Sequence, residues 1–397
     1  MQRWQHIMKL IAVAVLFGAG IVLQAQEEAG LERVVTLSFP NTRSEMVPGF
    51  DVKAVDVWAD GDVAAVSSGP LVHLVDLNNM DEPAFHTIEL GQGNESWDVK
   101  LKGNFLYVGL QNSANGDPLV IYDVSDIANP VEIGRFQTDE FAGTHNLFVV
   151  DQVVFLVSLR TGLRDGEEMV PPERSNRLWM VDVSDPTNPK SLGPVLDTNT
   201  GEAITRNHDL TVIGNRAYIA AWVNGIYILD FENLDDPQNL TYETIAHHKY
   251  DPVPDSRSRN AGTFPNPATH NLWPSEDGTV LWSTDEVVGE AVRVFDISNL
   301  EDIRLIDAYR LDVRAMPHNV FVQGDFAYVA HYVDGLRVLQ LTNEGIVEVA
   351  RHDTIENNPR GNPFRGAFGI FPLEHHVLIS DTFNGLLIFE KQGVLNQ

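Results

Sequence analysis

The sequence predicts an all-β protein, a seven-bladed β-propeller whose last blade is closed by an N-terminal strand. Three observations predict this fold. A strand-and-turn motif repeats along the chain, a four-strand unit surrounds each copy, and the two ends of the chain complement each other. A unit repeated at intervals of about forty to sixty residues indicates a solenoid or a propeller.

The repeated motif is an apolar strand followed by a polar turn. In its fullest form, from 178 to 189, it reads Leu-Trp-Met-Val-Asp-Val-Ser-Asp-Pro-Thr-Asn-Pro. Apolar, β-rich runs bounded by Asp, Asn and Pro are typical of strands joined by tight turns. The copies occupy residues 71–83, 119–130, 178–189, 226–237, 292–302, 336–345 and, truncated, 386–393.

Three further short strands accompany each copy. In the second unit, residues 99–101 and 105–110 precede the motif, with a Gly103-Asn104 turn between them, and residues 131–136 follow it. Four strands in each unit make a propeller blade. The inner strands are nearly continuous apolar runs, as expected where both faces of a blade pack on neighbouring blades.

The ends of the chain predict how the ring closes. The last copy stops near Phe389, without a fourth strand, whereas residues 31–39 precede the first unit and resemble the fourth strand at 131–136. We therefore expect residues 31–39 to supply the missing outer strand of the last blade. A ring closed in this way leaves few free strand edges. The propeller domain then spans residues 31–392.

Composition narrows the range of partners. Hydrophobic residues make up 43% of the chain, which is enough for a packed core, and the formal net charge is −29. Nucleic acid is not an expected partner, because its phosphates require a basic surface. The chain has no cysteine and therefore no disulfides.

The N-terminus predicts export. Arg3 and Lys9 precede the apolar run 10–23, and Glu27 and Glu28 follow it. This pattern is typical of a secretory signal, here residues 1–25, with cleavage after Ala25. We expect a periplasmic, cell-surface or secreted protein. The run is short for a membrane span, so contact with a membrane is expected only in the alternative case of an uncleaved anchor.

The motif itself resembles a known repeat. Leu119-Val-Ile-Tyr-Asp123 and Leu178-Trp-Met-Val-Asp182 resemble the LVIVD-repeat β-propeller family, and the last two units are similar to its exported choice-of-anchor B group. The terminal Asp of the motif is replaced by Gln340 and by Glu390. The resemblance implies an exported propeller and says little about chemistry.

One face of the predicted ring carries the long connections. In an antiparallel blade, the second-to-third connection and the crossing to the next blade lie on the same face. The insertions 160–177, 247–269 and 353–365 all fall on that face. Long loops in a compact domain are commonly functional. We therefore expect an unidentified ligand or protein partner to bind there, to a monomeric protein.

A histidine recurs on the same face, at the start of the innermost strand of four adjacent blades. Imidazole is the commonest metal ligand in proteins, and several converging imidazoles favour copper, zinc or iron. The predicted metal ligands are His145, His208, His270 and His318, with His331 and Asp381 from the ends of second strands. Val55, Trp97 and Phe368 occupy the equivalent positions in the other blades.

Other residues on this face are candidates for ligand contact. The second strands end in Trp222, Tyr332 and the pair Asp285-Glu286, of which Asp285 is assigned to the ligand face with Trp222 and Tyr332. Arg206 and Arg314 lie near the same face of the predicted ring and could bind an anion.

Two interpretations of the histidines stay open beside the metal site. They could tie strands together through their neighbours Asn146, Asp209, Asn271 and Asn319, or they could contact a ligand directly. The first functional hypothesis is an exported binding or interaction protein. The alternative is a metal-dependent oxidoreductase or hydrolase. Recognised catalytic motifs do not occur, so no catalytic residue is assigned and enzymatic activity is left open.

Overall fold

The computed structural model describes residues 30–43, 51–141, 143–158, 177–252, 268–355 and 363–396. The predicted signal segment, 1–25, lies outside the described residues, as do the central parts of the three long insertions. Within the described part of the chain there is no α-helix and no helix long and apolar enough to cross a membrane.

Seven four-stranded antiparallel sheets form the molecule, and each corresponds to one sequence repeat. We number them as blades 1 to 7 and give the strands of each blade from first to fourth. Blade 1 comprises Val57–Asp60, Val63–Ser68, Leu71–Asp76 and Phe85–Glu89. Blade 2 comprises Glu95–Lys102, Phe105–Asn112, Leu119–Asp123 and Val131–Phe136. Blade 3 comprises Asn146–Val150, Val153–Val157, Leu178–Asp182 and Lys190–Pro194.

The remaining blades follow the same order. Blade 4 comprises Asp209–Ile213, Arg216–Ala220, Ile226–Glu232 and Thr241–His248. Blade 5 comprises Thr269–Pro274, Val280–Asp285, Val292–Asp296 and Arg304–Tyr309. Blade 6 comprises Val320–Gln323, Phe326–Ala330, Leu336–Thr342 and Gly345–His352. Blade 7 comprises Ala367–Pro372, His376–Asp381, Gly385–Lys391 and, from the N-terminus, Leu31–Leu37.

Smaller elements lie outside the strands of the blades. Thr42–Arg43 pairs with Asp51–Val52, and Leu196–Asp197 pairs with Glu202–Ala203. Among the described residues, two short 3-10 helices span Pro237–Asn239, inside blade 4, and Gly393–Asn396, after the last strand.

The N-terminal strand closes the ring as the sequence predicts. Leu31–Leu37 runs antiparallel to Gly385–Lys391, with Leu31 opposite Lys391 and Leu37 opposite Leu386. Leu31 is fully buried and packs in the cluster between blades 6 and 7. The seven-bladed fold and its closure are therefore confirmed.

The core lies between the blades. The first strands of neighbouring blades contact one another all the way round the ring, so these strands line the central channel. One apolar cluster fills each of the seven interfaces between neighbouring blades. Burial on both faces of a sheet explains why the repeated strands read as continuous apolar runs.

The aspartate that recurs at the end of the motif has a local role. The carboxylate of Asp123 accepts a hydrogen bond from the backbone N–H of Ser125 at 2.9 Å, and Asp182 accepts one from Ser184 at the same distance. Such a contact holds the turn that follows the strand. Asp230 differs, because its carboxylate instead pairs with the guanidinium of Arg216 at 2.9 Å.

Candidate functional site

A ring of side chains lies at one mouth of the channel, where the innermost strands begin. Neighbouring rings of this set approach within 4.0–6.1 Å, measured between ring centroids. In order around the channel, the rings belong to His145, His208, His270, His318, Phe368 and Trp97. The four predicted histidines are thus neighbours, and they occupy one continuous arc of the ring.

Three of the imidazoles face a single carboxylate. Nε2 of His208 and Nε2 of His270 each lie 3.7 Å from Oε2 of Glu286, and Nε2 of His318 lies 4.0 Å from Oε1. The donor atoms of His208, His270 and Glu286 all lie within 4.8 Å of one another. The carboxylate also accepts a hydrogen bond from the hydroxyl of Tyr332, which fixes its orientation.

Hydrogen bonds at the outer ring nitrogens orient two of the imidazoles. Nδ1 of His318 lies 2.7 Å from the carbonyl oxygen of Phe368, which can only accept, so Nδ1 donates. In the neutral ring, Nε2 then keeps its lone pair and directs it towards Glu286. Nδ1 of His145 lies 2.7 Å from the side-chain oxygen of Gln111 and is held in the same way. Histidines that bind metals are commonly held through their other nitrogen in this manner.

The other two imidazoles are buried with unsatisfied nitrogens. His270 is 1% exposed, and neither of its ring nitrogens has a hydrogen-bond partner among the described residues. Nδ1 of His208 is likewise without one in this part of the chain. A buried polar atom without a partner carries a desolvation cost of about 1–3 kcal/mol. These nitrogens are therefore available to a bound group.

Burial keeps the site close to neutral charge. It lowers the pKa of His145 to about 4 and that of His318 to about 3, and it holds the pKa values of His208 and His270 well below the usual value. Burial raises the pKa of Glu286 to about 7, although the Tyr332 hydrogen bond opposes this rise. Near neutral pH the imidazoles are therefore unprotonated, which is the form that binds metal ions.

Hydrogen bonds between neighbouring blades come largely from the residue that follows each histidine position. Asp98 accepts a hydrogen bond from the backbone N–H of Leu147 in the next blade at 2.9 Å, and Asn271 accepts one from Val320 at 2.9 Å. The amide of Asn271 also donates to Asp209 in the preceding blade at 2.7 Å. His318 and His145 also link neighbouring blades, because Nδ1 of His318 contacts Phe368 of blade 7 and Nδ1 of His145 contacts Gln111 of blade 2.

A cavity opens above the ring on the long-loop face. It contains about 500 Å³ of space, open solvent included, and its lining is mostly apolar. Its lining residues are Trp97, His145, His208, Glu286, His318, Tyr332, Phe364 and Phe368. A second cavity lies on the inner side of the ring, within the channel, and includes His270 and the salt-bridged Lys100, Asp56 and Asp98. The ring of side chains therefore separates the mouth of the channel from its interior.

Comparison with protein families identifies the repeat. The family profile described as LVIVD repeat matches residues 93–138, 173–197, 206–239 and 316–343. The four matches fall on blades 2, 3, 4 and 6, and blades 1, 5 and 7 repeat the same four-strand unit. The chain is therefore a β-propeller that carries LVIVD repeats in these four blades.

Comparison with solved structures supports the fold alone. A chain in "Crystal Structure of Mitotic Checkpoint Complex" superimposes with a TM-score of 0.60 over 97% of this chain and 99% of that chain. The two sequences are 11% identical, so the likeness carries no information about function. A comparison with curated proteins finds no match.

Four turns of the LVIVD propeller explain which predicted residues reach the mouth. Each turn follows a second strand, spans five residues and ends in glycine: 221–225, 285–289, 331–335 and 381–385. Side chains that follow one another at the end of a strand point in opposite directions. In three of these turns it is the second residue, and not the first, that contacts the ring.

The second residues are Trp222, Glu286 and Tyr332. The indole of Trp222 stacks on His208, with centroids 4.9 Å apart, and the phenol of Tyr332 packs on His318 at 4.6 Å. Trp222 and Tyr332 both adopt positive φ angles, of 46° and 45°. Both aromatic side chains therefore contact histidines at the channel mouth, on the face to which the sequence assigns them.

The first residues of the turns are placed elsewhere. The carboxylate of Asp285 pairs with the buried guanidinium of Arg293 and accepts a hydrogen bond from Tyr250 at 2.8 Å. Nδ1 of His331 lies 3.8 Å from a carboxylate oxygen of Asp334. The structure therefore does not bring Asp285 or His331 to the donor group around Glu286, because each lies one position too early in its turn.

The remaining candidates also lie apart from the donor group. The carboxylate of Asp381 accepts hydrogen bonds from the N–H groups of Phe383 and Asn384, both at 2.8 Å, and so shapes its own turn. Arg206 is exposed with a positive φ of 64°, and exposed Arg314 pairs with Asp312 at 3.2 Å. Neither arginine lines the mouth cavity.

Glu286 and Phe364 are the residues that the sequence assignment missed. Glu286 was recognised only as the neighbour of Asp285. The signal that would have selected it is the alignment of the four glycine-ended turns, in which Glu286 is equivalent to Trp222 and Tyr332. Phe364 lies near the end of the long insertion 353–365, which has no repeat character, so no sequence signal places it at the mouth.

Proposed function

We propose that this LVIVD-repeat propeller is a binding protein that holds one transition-metal ion at the mouth of its channel. The observation that carries the proposal is the approach of three imidazole nitrogens to one carboxylate, at 3.7, 3.7 and 4.0 Å. The proposed ligands are Nε2 of His208, Nε2 of His270 and a carboxylate oxygen of Glu286, whose donor atoms lie within 4.8 Å of one another, and the fourth position of a tetrahedral ion stays open.

The geometry requires only a small contraction. Zinc lies about 2.0–2.1 Å from imidazole nitrogen and carboxylate oxygen, so donors at the corners of a tetrahedron are about 3.3 Å apart. The nitrogen-to-oxygen separations exceed this value by less than 1 Å. Rotation of the imidazoles and of the Glu286 side chain can supply such a movement.

The donor set indicates the class of metal. Imidazole with carboxylate suits zinc, iron and copper, and it lacks the thiolate or thioether donors that select softer ions. Neutral imidazoles and one carboxylate leave a divalent ion with a net positive charge, in a chain whose formal charge is −29. The surrounding field therefore favours uptake of a cation.

Metal-dependent chemistry is the second candidate function, and one observation favours it. His208 and Glu286 both line the mouth cavity, so an ion bound by them would face a space open to small molecules. Catalytic zinc sites keep one coordination position open in this way, whereas structural sites are closed. A hydrolase or an oxidoreductase would both be compatible with such a position.

Calorimetric titration with zinc chloride tests the metal proposal. The chelator-treated protein should bind one zinc ion tightly, and Glu286→Gln should weaken that binding by about a hundredfold or more, because it removes a charged ligand. Glu95→Gln is the matched control. Glu95 is also buried, but its carboxylate accepts hydrogen bonds from Trp97 and Asn112.

Two results would decide the outcome. Equal affinity in wild type, Glu286→Gln and Glu95→Gln would show that zinc binds only at surface histidines, and the metal proposal would fail. In that case the propeller would remain an interaction protein whose long-loop face contacts a partner without a metal. A selective loss in Glu286→Gln supports the proposed site.

We also infer that the protein is exported. Support comes from the basic residues Arg3 and Lys9 and from the apolar run 10–23 that follows them. N-terminal sequencing of the mature protein from the expressing cell should give a first residue near Gln26. A full-length cytoplasmic product would contradict export.

A further inference from the structure

We propose that the mouth cavity selects an uncharged ligand that carries an aromatic ring and one donor atom for the metal. This inference rests on the proposed metal site and names the class of ligand that the site takes. It draws on the aromatic side chains of the cavity wall, which are not among the three metal ligands.

The cavity wall is built mainly of aromatic rings. Trp97 and Phe368 meet edge to face with centroids 5.8 Å apart, and Tyr332 meets Phe368 at 5.5 Å in the same manner. Phe364 stands edge to face on Tyr332 at 5.6 Å and is 44% exposed, so it lies at the rim. Rings prefer offset or edge-to-face contacts with other rings, and this wall offers several such contacts.

The charge of the wall disfavours the other ligand classes. Among the described residues that line the cavity there is no lysine or arginine, and Glu286 is the one carboxylate. Among these described lining residues, a carboxylate or phosphate ligand would find no cationic side chain. An organic cation would be repelled by the metal ion. A neutral ring is therefore the group that this wall recognises best.

The size of the cavity fits a small molecule. The part that a water-sized sphere can enter is about 140 Å³, below the range of about 300–1,000 Å³ for drug-sized ligand sites, so the space suits only a small ring compound. The metal ligands His208 and Glu286 form part of the same wall. A ligand could thus place a nitrogen or oxygen on the metal while its ring packs among Trp97, Tyr332, Phe364 and Phe368.

Spectroscopic titration of the cobalt-substituted protein tests the inference. Cobalt(II) replaces zinc in such sites and reports on its coordination through its visible absorption. We expect 4-phenylimidazole to bind at least about tenfold more tightly than imidazole, because its phenyl ring is buried in the cavity. Imidazole-4-carboxylate, which adds a charge in place of the ring, should show no such gain.

Two phenylalanine variants locate the effect. Phe364→Ser should abolish the advantage of 4-phenylimidazole and leave cobalt affinity unchanged, because Phe364 lies at the rim and is no metal ligand. Phe383→Ser is the matched control. Phe383 is 48% exposed and stacks under Arg365, with no part in the cavity wall.

The possible failures are distinguishable. If cobalt binds and both imidazoles bind equally, the aromatic preference is wrong and the metal site stands. If Phe383→Ser removes the preference as fully as Phe364→Ser, the ring is recognised outside this cavity and the inference is overturned. If cobalt does not bind at the mouth, the proposed function itself fails.

Discussion

At the scale of single residues, burial of a histidine without a charged partner lowers its pKa. His73 shows it away from the channel. Its ring is fully buried, stacks on Phe39 at 4.0 Å, and contacts Thr87 through Nδ1 at 2.9 Å. Nε2 has no hydrogen-bond partner among the described residues. Burial lowers the pKa of His73 from 6.5 to about 4.

We predict that His73 makes the propeller sensitive to acid. The unfolded chain protonates His73 below pH 6.5, whereas the folded protein does so only near pH 4, so the unfolded state binds more protons between these values. The stabilising contribution is complete above pH 6.5 and is lost as the pH falls through 4. At pH 5 the loss amounts to about 2 kcal/mol.

Denaturant unfolding of the chelator-treated protein at pH 7.5 and pH 5 measures this effect. His73→Phe keeps the stack on Phe39 and removes the titrating group, so its free energy of unfolding should fall by about 2 kcal/mol less than that of the wild type over the same interval. Parallel losses in the two proteins would show that His73 does not contribute.

Residue-level placement is also where sequence reasoning was least complete. The four histidines were identified because they recur at one position of the repeat, and their rings are neighbours in the structure. Glu286 was not separated from Asp285, because a sequence does not say which of two consecutive strand-end residues faces the axis. The ion pair between Asp285 and Arg293 shows which of the two side chains turns away from the donor group. The pair forms between two different strands, and the sequence alone does not place those side chains together.

At the scale of the element, the blades are linked by short polar side chains at the start of the innermost strands. Asn271 illustrates the role with two contacts. Its oxygen accepts the N–H of Val320 in blade 6, and its nitrogen donates to Asp209 in blade 4. Asn319 occupies the same position one blade further on, and its side-chain oxygen has no hydrogen-bond partner among the described residues.

We predict unequal costs for the same substitution at these two positions. Asn271→Ala should lower the free energy of unfolding by about 1–3 kcal/mol, because it leaves the buried N–H of Val320 without a partner. Asn319→Ala should cost less, because that side-chain oxygen links no blades. Chemical denaturation of both variants at pH 7.5 gives the comparison. Equal costs would contradict the proposed linking role.

The strands themselves were predictable because their signals are local. Gly, Asn, Asp and Pro mark the turns, and continuous apolar runs mark the strands buried on both faces. The outer strand of each blade is more exposed and more variable, and blades 2 to 7 carry a register irregularity in it. No particular turn residue marks such an irregularity, so the sequence does not predict its position.

At the scale of the whole molecule, closure of the ring joins the two ends of the chain. The strand Leu31–Leu37 completes blade 7, and Gln392 donates through its backbone N–H to the carbonyl of Gly30 at 2.8 Å. The sequence predicted this closure because residues 31–39 resemble the fourth strand of other units. The long insertions carry no repeat, so the sequence could assign them only to a face.

We predict that removal of residues 1–37 destabilises the whole ring. The deletion exposes one edge of blade 7 and removes Leu31 from the cluster it shares with Phe389 and Leu395. Its melting temperature should fall by about 10 °C or more relative to a control that lacks residues 1–29 only. Equal melting temperatures for the two deletions would refute the stabilising role of the closing strand.

The central claim, that the channel mouth holds a metal ion, is tested most directly by anomalous diffraction at the zinc edge from crystals grown with zinc. The account predicts one strong peak about 2.0–2.1 Å from Nε2 of His208, Nε2 of His270 and an oxygen of Glu286. Absence of a peak at the mouth, with zinc found only at surface histidines such as His247 or His375, would contradict it.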